Sequence, residues 1–221
     1  MKKLVFSLFV LMLSFSAFGA TVTGDPTELQ VKVFRFAVSA STDCSNPITV
    51  VDRGSNADYV NFLDSPNLGS GSLADGTYPC VMIEMSDQIK FKPATNVGVD
   101  CVANTEYTLD VCGNNETVTL FDGSSGTCAG DNGANSSGSF TETTVTLYLS
   151  TASTSSGGSA NAFTPPTSGS DASNGFNLGT ALTVSGAQSG TFTVNGTGKV
   201  ESDDTTSQGY CEFQPPSFTF N

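Results

Sequence analysis

Apolar and polar residues alternate with a period of two along most of the chain, and that period predicts strands rather than helices. In Glu28 to Ala40 (ELQVKVFRFAVSA), Val31, Val33 and Ala37 alternate with Phe34, Phe36 and Val38. Both faces are apolar, which predicts a strand in the middle of a sheet. Ile48 to Val51 is a short β-branched strand, and Tyr59 to Leu63 fits either a strand or one helical turn. Thr77 to Met85 sets Val81, Ile83 and Met85 against Tyr78, Cys80 and Met82, whereas Ile89 and Phe91 alternate with Lys90 and Lys92 on a wet face. The same alternation returns in Tyr107 to Val111, Val118 to Leu120, Val145 to Leu149, Phe176 to Val184, Thr191 to Asn195 and Ser217 to Phe220. Turn signals punctuate these runs at Ala74-Asp75-Gly76, Asp122-Gly123, Asp131-Asn132-Gly133 and Asn195-Gly196. Strands at intervals of ~8–12 residues with such punctuation predict an all-β antiparallel sandwich or barrel. No amphipathic helix is predicted.

Ser150 to Gly175 (STASTSSGGSANAFTPPTSGSDASNG) breaks the pattern. Its Ser, Thr, Gly, Ala and Pro predict a long low-complexity loop inside one domain, because the ~45 residues that follow are thin for a second core. An early LQVKVFRFAV strand, a loop, and then GTYPCVMIEMSDQIKF resemble bacterial secreted domains of the transthyretin-like (prealbumin-like) type, over roughly Leu29 to Lys92. The resemblance implies a β-sandwich, and no site residue is carried over from it.

The first twenty residues change the picture of where the chain works. Lys2 and Lys3 precede an apolar run, Leu4 to Phe18, broken only by Ser7, Ser14 and Ser16. That run is short for a bilayer span, which takes ~20 residues. Ala17 and Gly19 supply small residues at −3 and −1, so residues 1–19 read as a secretory signal peptide and 20–221 as the mature domain. The expected location is secreted, periplasmic or at the cell surface, with no membrane span in the mature chain. Loss of the two lysines takes the formal charge from −13 to −15. So acidic a surface disfavours nucleic acid and anionic lipid.

All six cysteines fall in the mature part, and an even count in an exported chain reads as disulfides. The chain has no histidine, and no two cysteines are spaced as a zinc knuckle requires. A nucleophilic Cys80 would lack the usual base. Fifteen pairings are open. The preferred one joins Cys44 to Cys80 beside strands of the first half, Cys112 to Cys128 around a Gly/Asn/Ser-rich loop, and Cys101 to Cys211 at the C-terminal strand.

Little else points to chemistry. Asp131 to Glu142 (DNGANSSGSFTE) puts Asp131, Asn135 and Glu142 at positions 1, 5 and 12 of a calcium loop, but Gly133 and Ser136 replace a ligand and the turn glycine. Glu201, Asp203 and Asp204 form a second acidic group in a turn. No phosphate-binding or nucleophile-elbow motif occurs, and no cofactor or catalytic residue is assigned. The sequence therefore predicts a non-enzymatic, exported structural or binding module with an unidentified protein or surface partner. Two alternatives are a pilus-type subunit assembled by donor-strand exchange, hence a homo-oligomer or fibre, and a secreted hydrolase using carboxylates alone. Pro215-Pro216 interrupts the alternation that strand exchange would use. Intact-mass analysis of the exported protein should find Met1 to Gly19 removed; retention of that segment would refute the signal assignment.

Overall fold

The computed structural model describes residues 21–55, 57–64, 66, 72–113, 115–129, 133–135, 141–152, 159–167, 174–186, 191–203 and 211–220. The expected signal segment, Asp131 and Asp204 lie outside them. The first strands are β1 (Thr21–Gly24), β2 (Pro26–Ser39), β3 (Ile48–Asp52), β4 (Tyr59–Asn61), β5 (Gly76–Tyr78) and β6 (Cys80–Pro93). There follow β7 (Tyr107–Asp110), β8 (Thr117–Thr119), β9 (Ser125–Thr127), β10 (Gly133–Asn135) and β11 (Thr144–Ser150). The last are β12 (Phe176–Asn177), β13 (Leu182–Val184), β14 (Phe192–Asn195), β15 (Val200–Asp203), β16 (Cys211–Phe213) and β17 (Ser217–Phe220).

The large sheet is organised by β6, which pairs with β2 along its length on one side. On the other side its first half pairs with β11 and its second half with β7. Beyond β2 lie β3 and β4; beyond β7 and β11 lie β10 and β12, the last running parallel to β11. Two small antiparallel sheets, β1–β15–β16 and β14–β17, form the facing wall. The chain is thus an all-β, antiparallel, disulfide-stapled sandwich.

Both faces of β2 are apolar for a reason that alternation alone does not reveal. Val33 pairs with Met85 and Arg35 with Glu84, so Phe34 is an extra residue, a β-bulge. One extra residue reverses the facing of everything after it. Leu29, Val31 and Val33 enter the main core before the bulge, and Phe36 and Val38 enter it afterwards. Between Val31 and Val33 the register shifts again: Val31 faces Ile89 and Val33 faces Met85. Here β6 carries Ser86, Asp87 and Gln88 opposite Lys32 alone. Two surplus residues preserve facing, so Met85, Ile89 and Phe91 share the core side, and the two sequence runs form one strand.

Aromatic rings join the walls. Phe91 of β6, fully buried, lies 5.5 Å from Phe213 of β16 and 5.6 Å from Tyr107. Phe192 of β14 contacts Phe62, Phe218 and Phe220 at 5.1–6.0 Å. Between β1 and β2, the Asp25 carbonyl accepts the Ala94 N–H at 2.8 Å and its carboxylate accepts the Gly198 N–H at 2.7 Å. A side chain at Gly24 would strike Val97, so β1 passes that loop only as glycine.

Tyr59 to Leu63 contains both conformations considered for it: β4 is followed by a 3₁₀ turn, Phe62–Asp64. The low-complexity stretch also departs from expectation. It includes one helical turn, α1 (Ser159–Ala162), and buries Ala162 and Phe163 in the core, with the Phe163 carbonyl accepting the Thr119 N–H at 2.9 Å. A single aromatic provides enough apolar area to fasten an otherwise polar segment.

Three bridges hold these layers: Cys44–Cys80, Cys101–Cys211 and Cys112–Cys128, with Cα separations of 5.3, 5.1 and 5.8 Å. They are the pairs preferred in the sequence analysis, and no cysteine is free. The Cys101–Cys211 bridge crosses from the loop after β6 to β16 in the facing wall. Tyr107 braces that loop, its hydroxyl donating to the Asp100 carbonyl and accepting the Val102 N–H, each at 2.8 Å. Cys44→Ser and Cys80→Ser should each lower stability by ~2–4 kcal/mol. Denaturant unfolding of the double variant should show little further loss, since the two residues share one bond. Additive losses would contradict the pairing.

Candidate functional site

Between the large sheet and the facing wall lies a cavity of about 350 Å³. Its floor comes from β2, β6, β7 and β11 through Leu29, Val31, Met85, Ile89, Leu109 and Leu147. Those residues point inward because of the two register shifts described above. Phe62, Phe163 and Phe176 close its sides, and Phe213 and Phe218 belong to the opposite wall. The rim is Glu212, Gln214, Pro215 and Pro216, all half-buried.

The opening has a covalent cause. Proline has no backbone N–H and cannot extend a ladder. Gln214-Pro215-Pro216 therefore separates β16 from β17, which join different small sheets. The facing wall is interrupted there, and the cavity reaches the gap. Protein interiors are close-packed and contain few voids larger than a water molecule. A gap of this size, lined almost throughout by apolar side chains, has the dimensions of a small-molecule site. Polar residues line it at Asp110, Glu212 and Gln214. The Asp110 carboxylate, itself buried, accepts the Cys112 N–H at 3.0 Å.

Of the calcium candidates Asp131, Asn135 and Glu142, only Glu142 is described with its side chain. The Glu142 carboxylate is held by Lys32 Nζ at 2.7 and 2.9 Å, and that hydrogen bond keeps its pKa below the usual range. Asn135 lies on β10, its backbone in register with Thr108, and Asp131 is outside the described residues. Glu201 and Asp203 lie on β15, in register with Thr23 and Thr21. Among the described residues no group of three His, Cys, Asp or Glu is placed to hold a metal.

Lys32, Lys90, Lys92 and Arg35 are spent on the outer face of the large sheet. Lys90 pairs with Glu106 at 2.8 Å, Lys92 with Glu28 at 3.0 Å, and Lys32 with Glu142. Arg35 lies 3.1 Å from Glu84, 3.5 Å from Asp52 and 4.4 Å from the centre of the Phe121 ring. Burial raises the Glu84 pKa, with Arg35 opposing the rise. The β8–β9 hairpin covers this region, and the Tyr148 hydroxyl donates to the carbonyls of Thr119 and Leu120 at 3.3 Å. Burial pushes that hydroxyl's pKa up to about 12.

No lining residue of the cavity was singled out in sequence as a site, although Leu29, Val31 and Leu147 were legible as strand residues. The available signal was Pro215-Pro216, a break in an otherwise regular alternation. No protein-family model, no curated protein and no solved structure matches the chain.

Asp87 generates a pH-dependent expectation. It is fully buried in the β6 irregularity, where Thr143 donates to it through its N–H at 2.8 Å and through its hydroxyl. Burial raises its pKa despite those bonds, and Glu142 adds to the rise. A raised carboxyl pKa means that the folded state holds the proton more tightly. The resulting stabilisation is full below the ordinary carboxylate range and is lost as pH climbs through the folded-state pKa. Asp87→Asn should therefore flatten the dependence of the urea midpoint on pH between about 4 and 7. An offset that is constant over that range would show that Asp87 does not titrate there.

Proposed function

We propose that the protein is an exported, non-enzymatic binding module of the cell surface or periplasm, and that it binds a compact apolar molecule between its sheets. The carrying observation is the apolar cavity beside the Pro215–Pro216 gap. Residues 1–19 support export, and three disulfides suit an oxidising compartment. Among the described residues no helix is long and apolar enough to cross a membrane. A transthyretin-like origin remains part of this proposal, supported by the Leu29 to Lys92 segment.

An engineered apolar cavity of ~150 Å³ binds benzene, so a cavity of this volume suits a ligand roughly twice that size. The fibre-subunit alternative needs a terminal strand to exchange, yet β1 pairs with β15 and β17 with β14 inside the same chain. A monomer on size exclusion would count against that alternative. The binding reading predicts saturable, one-to-one fluorescence enhancement of the neutral probe N-phenyl-1-naphthylamine. Val111→Phe, which adds volume at a half-buried lining position, should weaken binding at least tenfold while leaving a cooperative unfolding transition. Unaltered probe affinity in the folded variant would place the probe elsewhere and remove the proposal.

A further inference from the structure

We infer that the molecule held in the cavity is a neutral aromatic of about two fused rings. This rests on the reading of the cavity as a binding site and adds the class of molecule that enters it. Phe62, Phe163, Phe176, Phe213, Phe218 and the thioether of Met85 all line the space. An entering molecule therefore meets aromatic rings and a polarisable sulfur rather than aliphatic groups alone.

Most of those rings are fixed before a ligand arrives. Phe218 lies 5.6 Å from Phe176, tilted by 48°, and 6.0 Å from Phe192, nearly parallel to it. Phe62 meets Phe192 edge to face at 87°, and Phe213 is tilted by 43° against Phe91. Phe91 and Phe192 are not lining residues, so they hold the lining rings from behind. Side chains ordered in advance lose little freedom on binding. One more aromatic ring extends this network through offset and edge-to-face contacts, which a saturated skeleton cannot make. The Met85 sulfur favours a ring neighbour in the same way. Benzene fills an engineered cavity of ~150 Å³, so the 350 Å³ here admits a second fused ring.

Charge is not provided for. No lysine or arginine is among the described lining residues. The Asp110 carboxylate is engaged by the Cys112 N–H. Glu212 stands between the buried Cys211 and Phe213 on β16, so its carboxylate projects from the opposite face of the strand. Gln214 at the rim offers a neutral amide, which can donate to or accept from one polar substituent. An ionised ligand would give up its hydration without a built partner, whereas a neutral ring with a single hydroxyl would not.

2-Naphthol and decahydro-2-naphthol test the inference, since they share a carbon skeleton and a hydroxyl and only the first is aromatic. Both are neutral near pH 7. Calorimetric titration of the full oxidised chain should find 2-naphthol bound roughly fivefold more tightly, as added ring contacts require. Burial of hydrocarbon alone would give the saturated compound at least equal affinity. 2-Naphthoate, ionised at that pH, should bind roughly tenfold more weakly than 2-naphthol. In methyl NMR, 2-naphthol should shift Met85, which lines the cavity, and leave Met82, which packs in the small outer core with Ala37 and Tyr148. Phe163→Leu and Phe176→Leu each keep an apolar side chain but remove a ring, and should each cut the naphthol-to-decahydronaphthol ratio about twofold. The comparison in the unaltered protein decides the matter even where a variant folds poorly. If decahydro-2-naphthol or 2-naphthoate matches 2-naphthol, or the ratio is unchanged in both folded variants, the ligand class is overturned and the cavity reading stands. If Met85 responds to neither naphthol and N-phenyl-1-naphthylamine fails to bind, both are overturned.

Discussion

The pairing of β2 with β6 is the constraint on which the rest depends. Among the described residues these two strands share the longest ladder, and β3, β4, β7 and β11 attach directly to one of them, with β10 and β12 following at one remove. Their register determines which side chains face inward. At Phe34 one surplus residue reverses the facing; at Ser86–Gln88 two surplus residues preserve it. The core floor, the outer charged face and the cavity all inherit those two counts. A strand that obeyed simple alternation through Phe34 would send Phe36 and Val38 to the face where Arg35 and Glu84 now meet.

The facing wall is held by different means. Its strands are short and divided between two small sheets, so few ladder bonds bind it together. What fastens it is aromatic packing, above all Phe91 against Phe213, together with the Cys101–Cys211 bridge and the bonds radiating from Asp25. Strong pairing on one side and strut-like attachment on the other leave room for an interior gap. A continuous second sheet would have closed it.

The parts legible in the sequence are those whose energetics are local. Val81 to Phe91 and Val145 to Leu149 announce themselves by period two because alternate residues of each, such as Val81, Ile83, Val145 and Leu147, enter the main core. The Cys44 and Cys80 partnership was readable from their positions beside strands. The strands β9 (Ser125–Thr127) and β15 (Val200–Asp203) were not, since SGT and VESD carry almost no apolar pattern. They are strands because a neighbour supplies their hydrogen bonds. Phe163 was hidden by its setting, a lone ring among serines and glycines. The cavity was less legible still, for it is a space enclosed by elements distant in sequence, and Pro215-Pro216 marks only its edge.

The placement of the bridges also governs how the molecule answers mechanical load. Cys44–Cys80 and Cys101–Cys211 close loops with sequence separations of 36 and 110, and Cys112–Cys128 is nested inside the second. Tension applied at the two ends of the chain passes through these covalent shortcuts. Only the segments before Cys44, between Cys80 and Cys101, and beyond Cys211 can then be drawn out. The middle segment contains nearly all of β6, so extension has to tear the central ladder while most of the polypeptide remains shielded. The domain is therefore a short tether, with little hidden length to release while its bridges are intact.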